Sequence, residues 1–425
     1  MAAQELSETI LPARREGPRD ARPAAPAAGA VSRPAPLPAL RGHLPALDGV
    51  RGLAILVVLL FHFVAQTAST NRFEAAVNGV LSYGCLGVDL FFVLSGFLIT
   101  GILYDSRASP GYFSGFYMRR VLRIFPLYYA VLAVVFFVLP LVPALRGSEI
   151  VGLRDRQAWA WLYGVNVYLA IQGGWVLSYI EHFWSLAVEE HFYLFWPLLV
   201  FWLARRPRAL MGAALGLAAG SFAARVAASL YGASPVATTV LTPLQLDALC
   251  LGGFFAVWLR QPGGEAAVRR VILPMALVAG AWLICDFGLQ RFGDFEAMRS
   301  ARGGAFRLAF AALLLWALFA PAPSFTGRFF RSGPMVALGK YSYGLYVYHH
   351  FLSYYLVTHG TEHALAGFVG SHTLAVAIQA VLGMAASMVI AWLSYELFEK
   401  RFLELKRFWP SGRRPAPAAE MRGAA

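Results

Sequence analysis

Residues 48–63 read DGVRGLAILVVLLFHF, the core of an apolar run over 47–65 that is long enough to cross a membrane as a helix. Arg51 and His62 stand eleven positions apart, separated by ten residues that are nearly all Leu, Val, Ala or Ile. At about 100° per residue this separation is close to three full turns, so both side chains point the same way, about 16 Å apart along the axis. The sequence therefore predicts one polar stripe, with Arg51 near the end of the helix and His62 near its middle.

The composition is that of a membrane protein with several spans. Of the 425 residues, 58% are hydrophobic and 14% are charged, whereas soluble domains carry about 25% charged residues. The formal net charge of +13 suits nucleic acid, but the basic residues form short clusters between apolar runs, so we expect no nucleic-acid partner. The three cysteines are widely spaced inside apolar runs and offer neither a disulfide framework nor a zinc-binding spacing.

The apolar runs predict an all-α fold, a polytopic membrane helix bundle of about ten transmembrane helices. The segment 158–180 is also largely apolar, but counting it as a span would reverse every later loop. We therefore interpret it as an extracytoplasmic or re-entrant element. The ten predicted spans are 47–65, 83–104, 124–142, 183–204, 209–231, 241–259, 271–290, 305–321, 343–359 and 373–395.

Basic clusters determine the predicted topology. They follow every second span, and an even number of spans places both termini on one side, so we predict a multi-pass protein of the cytoplasmic membrane with both termini in the cytoplasm. Residues 1–42, rich in Ala, Pro and Arg, and 409–425 are predicted to be disordered tails that flank a membrane domain over 43–408. The clusters comprise Arg107, Arg119, Arg120, Arg123, Arg205, Arg206, Arg208, Arg260, Arg269, Arg270, Arg328, Arg331, Lys340, Lys400, Arg401, Lys406 and Arg407.

Ionisable side chains inside the spans are candidates for function, because a charge at the bilayer centre costs at least about 2.5–3.5 kcal/mol. Each has a structural alternative: Arg51 is able to snorkel to the interface, Asp89 to cap a helix, and His62 to form an interior hydrogen bond. For Asp247 we favour the role of an interhelical hydrogen-bond partner. Function is favoured by the joint presence of Arg51, His62, Asp89, Glu189, Glu190, Asp247, His349 and His350.

These residues lie in motifs that resemble those of the acyltransferase-3 family of integral membrane O-acyltransferases, in the family's order and over about 44–402. The resemblance aligns Glu189 as the motif carboxylate and selects His349 over His350, which are about 100° apart and not expected to share one role. Gln245 stands where relatives often have Arg. The motifs are LDGVRGLAILVVLLFH, GVDLFFVLSGFLIT, FYMRRVLRIFPLYY, FWSLAVEEHFYLFWP, YSYGLYVYHHF and SYELFEKRF.

The resemblance implies transfer of an acyl group, usually acetyl, from acyl-CoA on the cytoplasmic side to a hydroxyl of a surface or lipid-linked glycan. Acyl-CoA, in particular acetyl-CoA, would be the co-substrate, and we expect no metal. Some relatives acylate macrolides or other small molecules, which is the alternative acceptor. Some also carry a hydrolase-like domain, and we expect this chain to be the membrane domain alone.

Acylation of a hydroxyl needs a base, and histidine, with an unperturbed pKa near 6.5, suits that role. We predict that His62 deprotonates the acceptor hydroxyl, for direct attack on the thioester or in a relay; a covalent acyl-histidine is a second variant. By analogy with hydrolytic triads, either Glu189 or Asp89 is expected to hold the imidazole in the correct tautomer. The sequence does not choose between the two carboxylates.

Arginines are the candidates for donor binding. Arg119, Arg120 and Arg123 are expected at the cytoplasmic mouth, where guanidinium groups pair with the phosphates of coenzyme A, although any single one is equally a topology-setting residue. Arg51 is expected to hold the donor's phosphate or pantetheine end along the route to His62. Weaker candidates for acceptor binding are His349, Tyr346 and Asp247.

The competing class is a proton-coupled transporter or flippase, in which buried His, Arg and Glu form a proton or substrate path. The sequence shows no inverted repeat and no paired broken helices, which disfavours that class. A scaffolding role leaves the intramembrane charges unexplained.

Overall fold

The computed structural model forms an all-α bundle, and the part of the chain that it describes contains no β-strand. Of the predicted tails 1–42 and 409–425, all residues except Trp409 lie outside the described residues. The described residues are 43–145, 148–290, 292–293 and 296–409, with the backbone alone for 144 and 296–300. The α-helices within them are α1 Pro45–Leu60, α2 Arg72–Leu81, α3 Gly87–Ser106, α4 Tyr112–Ala133, α5 Glu149–Gly152, α6 Gln157–Trp161, α7 Val165–Gln172, α8 Trp184–Leu203, α9 Pro207–Leu230, α10 Pro235–Val240, α11 Leu246–Trp258, α12 Gly264–Leu289, α13 Glu296–Phe319, α14 Phe325–Phe330, α15 Gly333–Thr358, α16 Thr361–Val369, α17 His372–Ser394 and α18 Lys400–Glu404.

All ten predicted spans fall on helices. Within the described ranges, eight helical segments are long and apolar enough to cross a membrane, which confirms a polytopic bundle. The other two predicted spans correspond to α11, which has only 13 residues, and to α15, which has 26 residues but a more polar sequence. The eight segments are Pro45–Ala65, Arg72–Ser106, Tyr112–Leu141, Ser178–Leu203, Pro207–Leu230, Gly264–Leu289, Ala301–Phe319 and His372–Phe408.

The segment 158–180 contains no helix long enough to cross a membrane, as the sequence predicted. It folds into α6 and α7, which have 5 and 8 residues, and the break between them lies at Tyr163, whose φ is positive (54°). Because a non-glycine residue in this conformation cannot continue an α-helix, the apolar segment is split into two short pieces.

The first helix packs directly against α15, and two glycines permit this close approach. A Cβ atom on Gly52 would lie 2.1 Å from the carbonyl oxygen of Met335, and one on Gly339 would lie 1.9 Å from that of Asp48. Small residues at such positions let helix backbones approach closely inside a membrane. The contact places the helix that leads to His62 beside the helix that carries the histidine pair of the YSYGLYVYHHF motif.

The α-helical geometry of the first span stops before His62. After Leu60 the chain forms a π-helical turn over Phe61–Ala65, and His62 lies in this turn, three positions before the end of the span at Ala65. The prediction of His62 near the middle of the span is therefore wrong, since the span runs from Pro45 to Ala65 and His62 lies close to its second end. We call the end of the bundle where α1 begins the inner end, and the end where this π turn lies the outer end.

Candidate active site

Two cavities meet inside the bundle. The cavity towards the inner end has a volume of about 320 Å³, and the cavity towards the outer end about 570 Å³. Both volumes lie in the range of about 300–1,000 Å³ that is typical of ligand sites. Val88 and Tyr346 line both cavities, so these two side chains belong to the partition between them.

The inner cavity is cationic. All four predicted donor-binding arginines line it, together with Lys406, which the sequence assigned only to a topology-setting cluster. Arg51 is hydrogen-bonded to Asp48 at 3.3 Å, and Arg119 donates to the carbonyl of Trp409 at 3.2 Å. Trp409, the last residue that the structure describes, therefore lies at the inner end of the bundle, where α1 begins. The cationic residues are Arg51, Arg119, Arg120, Arg123 and Lys406.

Glu189 lies in this inner cavity, among the arginines. Its carboxylate interacts electrostatically with Arg120 and Arg51, and Tyr193, whose hydroxyl is hydrogen-bonded to that of Ser95 at 2.7 Å, lines the same cavity. Glu189 is not among the residues that line the outer cavity, where His62 lies. The prediction that Glu189 orients His62 is therefore not supported by the structure, because the two side chains face different cavities.

Four histidines cluster at the outer cavity, although they come from three separate parts of the chain. The ring of His62 lies 4.8 Å from that of His349 and 5.0 Å from that of His350, measured between centroids. The ring of His182, just before α8, lies 4.7 Å from that of His350. His62, His182 and His350 line the cavity, whereas His349 is completely buried behind it.

Hydrogen bonds assign the tautomers of His349 and His62. The Nδ1 atom of His349 lies 3.1 Å and 2.8 Å from the carbonyls of Leu345 and Tyr346, so it carries the proton and leaves Nε2 as an acceptor. That Nε2 atom lies 3.4 Å from Nδ1 of His62, which itself lies 2.9 Å from the carbonyl of Val58. Nδ1 of His62 is therefore the donor, and Nε2 of a neutral His62 is a free base.

The predicted stripe from Arg51 to His62 is consequently divided. Arg51 lines the inner cavity and His62 the outer cavity, on opposite sides of the Val88–Tyr346 partition. His62 lies in the π turn at the outer end of the span, beside the histidines of α15, whereas Arg51 lies in α1 near the inner end.

Asp89 lines the outer cavity but does not contact His62. Its Oδ1 atom accepts a hydrogen bond from Nε of Arg307 at 2.6 Å, and Arg307 also donates to Asp247 and to the side-chain oxygen of Gln245. Asp247 accepts two further hydrogen bonds from Arg225, at 3.0 Å and 2.8 Å. Asp247 is thus an interhelical partner, as we favoured, whereas the structure does not support the prediction that Asp89 orients the imidazole, because its carboxylate is engaged by Arg307.

This ionic network joins α3, α9, α11 and α13. Its two arginines and two aspartates are each at most 9% exposed, and their formal charges cancel. Buried charges of this kind need partners with complete hydrogen bonding. The network therefore forms a neutral polar wall of the outer cavity.

Tyr346 is held rigidly in the partition. Its hydroxyl donates to the carbonyl of His182 at 2.8 Å, and it lies 2.5 Å from the hydroxyl of Ser185. The resemblance suggested an acceptor-binding role for this tyrosine, and the structure places it between the two cavities.

Sequence reasoning missed several residues of the outer cavity. Arg225 and Arg307 are isolated charges within apolar helices, so the criterion that selected Asp89 would also have selected them. His182 stands two positions before the Trp184-Ser-Leu motif, but no local signal shows that it meets the histidines of α15.

Comparison with known proteins identifies the family. The sequence profile described as "Acyltransferase domain" matches residues 44–396. The chain is 29% identical to the peptidoglycan O-acetyltransferase OatA of Listeria monocytogenes over 84% of its own length and 56% of the relative. It is 26% identical to the O-acetyltransferase OatA of Staphylococcus aureus over 72% of its length and 50% of that protein.

A putative peptidoglycan O-acetyltransferase of Bacillus subtilis, YrhL, is 29% identical over 84% of this chain and 54% of its own length. The chain thus spans about half the length of the curated relatives it matches. No solved structure matches it.

Proposed function

Because the chain belongs to the acyltransferase-3 family, we propose that it transfers an acetyl group from acetyl-CoA to a hydroxyl of a glycan of the peptidoglycan type. The observation that carries this proposal is the pair of adjoining cavities, one cationic and one lined by histidines, with Tyr346 in the wall of both. Donor and acceptor would enter from opposite ends and react at the partition. The bundle would lie in the cytoplasmic membrane as the domain 43–408, with both termini in the cytoplasm.

The inner cavity suits the donor. Coenzyme A carries phosphates at one end and a thioester at the other, and guanidinium groups bind phosphates through charge-assisted hydrogen bonds. Arg119, Arg120 and Arg123 would hold the phosphates near the inner end, since they are neighbours on α4 and line the same cavity as Lys406. Arg51 would contact the pantetheine arm, with the thioester directed at the partition.

The outer cavity suits the acceptor. Nε2 of neutral His62 would accept the hydroxyl proton, while Nδ1–H stays bonded to the Val58 carbonyl. The hydroxyl oxygen then forms a bond to the thioester carbon, the carbon–sulfur bond breaks, and the proton on His62 passes to the departing sulfur. The products are the O-acetyl ester and free coenzyme A, so the histidine returns to its starting state.

The relatives are named as peptidoglycan O-acetyltransferases, which favours a glycan acceptor over a macrolide or another small molecule. The aromatic and polar lining of the outer cavity is compatible with a sugar, because Trp175 and Trp184 line the same cavity as the polar side chains of Gln66 and Gln245. A transporter would need no acyl donor, so it does not explain the chain's membership of an acyltransferase family.

The test is acetyl transfer by the purified protein. Radiolabelled acetyl-CoA is supplied with soluble peptidoglycan fragments, and label is recovered as a base-labile ester on the glycan. His62→Ala should abolish the transfer and leave membrane insertion intact, whereas His359→Ala, an exposed histidine at the outer end of α15, is the matched control. Transfer by His62→Ala at the wild-type rate would remove the base assignment, and glycan movement across proteoliposomes without donor consumption would favour the transporter.

A further inference from the structure

A second cluster of histidines and carboxylates lies at the outer end of the bundle, outside both cavities. Glu362 and His363 are in the first turn of α16, and His372 begins α17. Each offers one ligand atom, and these three atoms all lie within 4.8 Å of one another. None of the three residues lines the inner or the outer cavity, so the acyl-transfer proposal does not account for them.

His372 is oriented by a carboxylate. Its Nδ1 atom lies 3.1 Å from Oε1 of Glu74, which also accepts a hydrogen bond from the Thr373 hydroxyl at 2.6 Å. The other oxygen of Glu74 accepts from the backbone N–H and the hydroxyl of Thr70, at 2.6 Å and 2.9 Å. The carboxylate is therefore held as an acceptor, and Nδ1 of His372 carries the proton.

The second nitrogen of His372 is left with a lone pair and no partner. The side chain is only 11% exposed, and its Nε2 atom is buried and makes no hydrogen bond. Buried polar atoms without a partner are uncommon, and an unsatisfied one commonly marks a missing ion or water. A histidine whose Nδ1–H is held by a carboxylate while Nε2 is free is the usual arrangement of a metal-binding histidine.

The other two residues complete a suitable ligand set. The Glu362 side chain is 3% exposed, and its ion-pair partner within the described residues is His363, whose Nδ1 lies 3.0 Å from Oε1. The second oxygen of Glu362 has only a long contact, 3.5 Å, with the Gln379 amide. A carboxylate buried in this way needs close polar partners, and a divalent cation would supply one.

We propose that Glu362, His363 and His372 bind a zinc ion. Two imidazole nitrogens and one carboxylate oxygen are ligands that zinc prefers, and a water molecule would supply the fourth position of a tetrahedral site. The His363 side chain is 59% exposed, which gives the ion a route from solvent. The ion would tie α16 to α17 and, through Glu74, to α2. The proposal departs from the sequence-based expectation of no metal and is independent of the proposed acetyl transfer.

Ligand atoms of His62, His349 and His350 also lie within 4.8 Å of one another, so this cluster is the competing location for a metal ion. There, however, Nδ1 of His62 and of His349 are both engaged by backbone carbonyls, and His350 donates from Nε2 to the carbonyl of Ser178 at 3.1 Å. In addition, Nε2 of His349 faces a donor rather than an open space. Nδ1 of His350 is likewise buried without a partner, but of these two clusters only the one at α16 and α17 includes a carboxylate, so we place the zinc ion there.

The experiment measures zinc binding by the full-length protein, purified in detergent without a histidine tag and stripped with a chelator. Equilibrium dialysis against zinc chloride and elemental analysis should give one more zinc per chain in the wild type than in the double variant His363→Asn/His372→Asn. Glu74→Gln should keep the ligands and weaken zinc binding about 10–100-fold, as loss of an orienting carboxylate does elsewhere. His359→Asn, an exposed neighbour outside the cluster, is the matched control and should bind zinc like the wild type.

A second measurement needs no substitution and so is independent of any effect on folding. Zinc should slow the modification of His363 by diethyl pyrocarbonate at least tenfold, while exposed His359 reacts at the same rate with and without zinc, as read by mass spectrometry. Equal zinc content in the wild type and the double variant would overturn the proposal, because either no zinc is bound or the zinc is bound at another site. Unprotected His363 at saturating zinc would do the same.

Discussion

Replacing His349 by phenylalanine separates the role of the proposed base from that of its neighbour. The substitution keeps an aromatic ring, somewhat larger than imidazole, at a completely buried position and removes both nitrogen atoms. The Nε2 atom that lies 3.4 Å from Nδ1 of His62 is then lost, while the Val58 carbonyl, at 2.9 Å, remains. His62 should therefore keep its tautomer and its free Nε2.

The expected loss of activity follows from these two distances. A contact of 3.4 Å is longer than the usual range of about 2.7–3.2 Å, so we assign it about 1 kcal/mol, within the range of about 0.5–1.5 kcal/mol for an ordinary hydrogen bond. That energy corresponds to a decrease in kcat of about 5-fold. Removing the base itself, in His62→Ala, should cost about 10²–10⁴-fold.

The assay is the initial rate of labelled acetyl transfer at saturating donor and acceptor, with the melting temperature of each variant as a check on folding. His359→Phe, which places the same ring at an exposed site, is the control. A loss in His349→Phe as large as that in His62→Ala, in a variant that is still folded, would refute the reasoning. It would mean that the proton travels through His349 rather than resting on His62.

Two other substitutions test the inner cavity and the ionic network. Replacing Arg120 and Arg123 together by Gln should raise the apparent KM for acetyl-CoA about tenfold or more with little change in kcat, because the lost contacts bind the donor equally in the ground state and the transition state. An unchanged KM would contradict their role. Asp247→Asn should lower the free energy of unfolding by about 3–5 kcal/mol, because it leaves buried arginine charge uncompensated. Glu265→Gln, which removes the exposed ion pair to Arg269, should change it by less than about 1 kcal/mol, and equal effects of these two substitutions would argue against the network.

Much of the candidate site could be predicted from the sequence because the signal was local. Arg51, the α4 arginines and Glu189 lie in contiguous motifs, and an isolated charge in an apolar run is visible without any structure. The partners of these residues could not be predicted in the same way. Asp89 and Asp247 are far apart in the chain, and only the packing of α13 against α3 and α11 brings Arg307 to both.

The zinc proposal shows the same division. Glu362 and His363 are adjacent in the sequence, but nothing local indicates that His372 meets them or that Glu74 holds it from a helix about 300 positions earlier. Spacing rules for metal ligands apply to compact motifs, whereas this set is assembled across α2, α16 and α17.

The sequence by itself determined the apolar helices, the positions of the basic clusters between them and the family to which the chain belongs. Each of these depends on residues that are close in the chain. Only the tertiary structure decided which cavity each side chain faces and which atom of His62 carries the proton. Arg51 and His62 line different cavities, and a backbone carbonyl replaced the expected carboxylate as the main partner of the histidine. Helical periodicity describes directions within one helix, whereas the chemistry of this site depends on contacts between helices that periodicity does not encode.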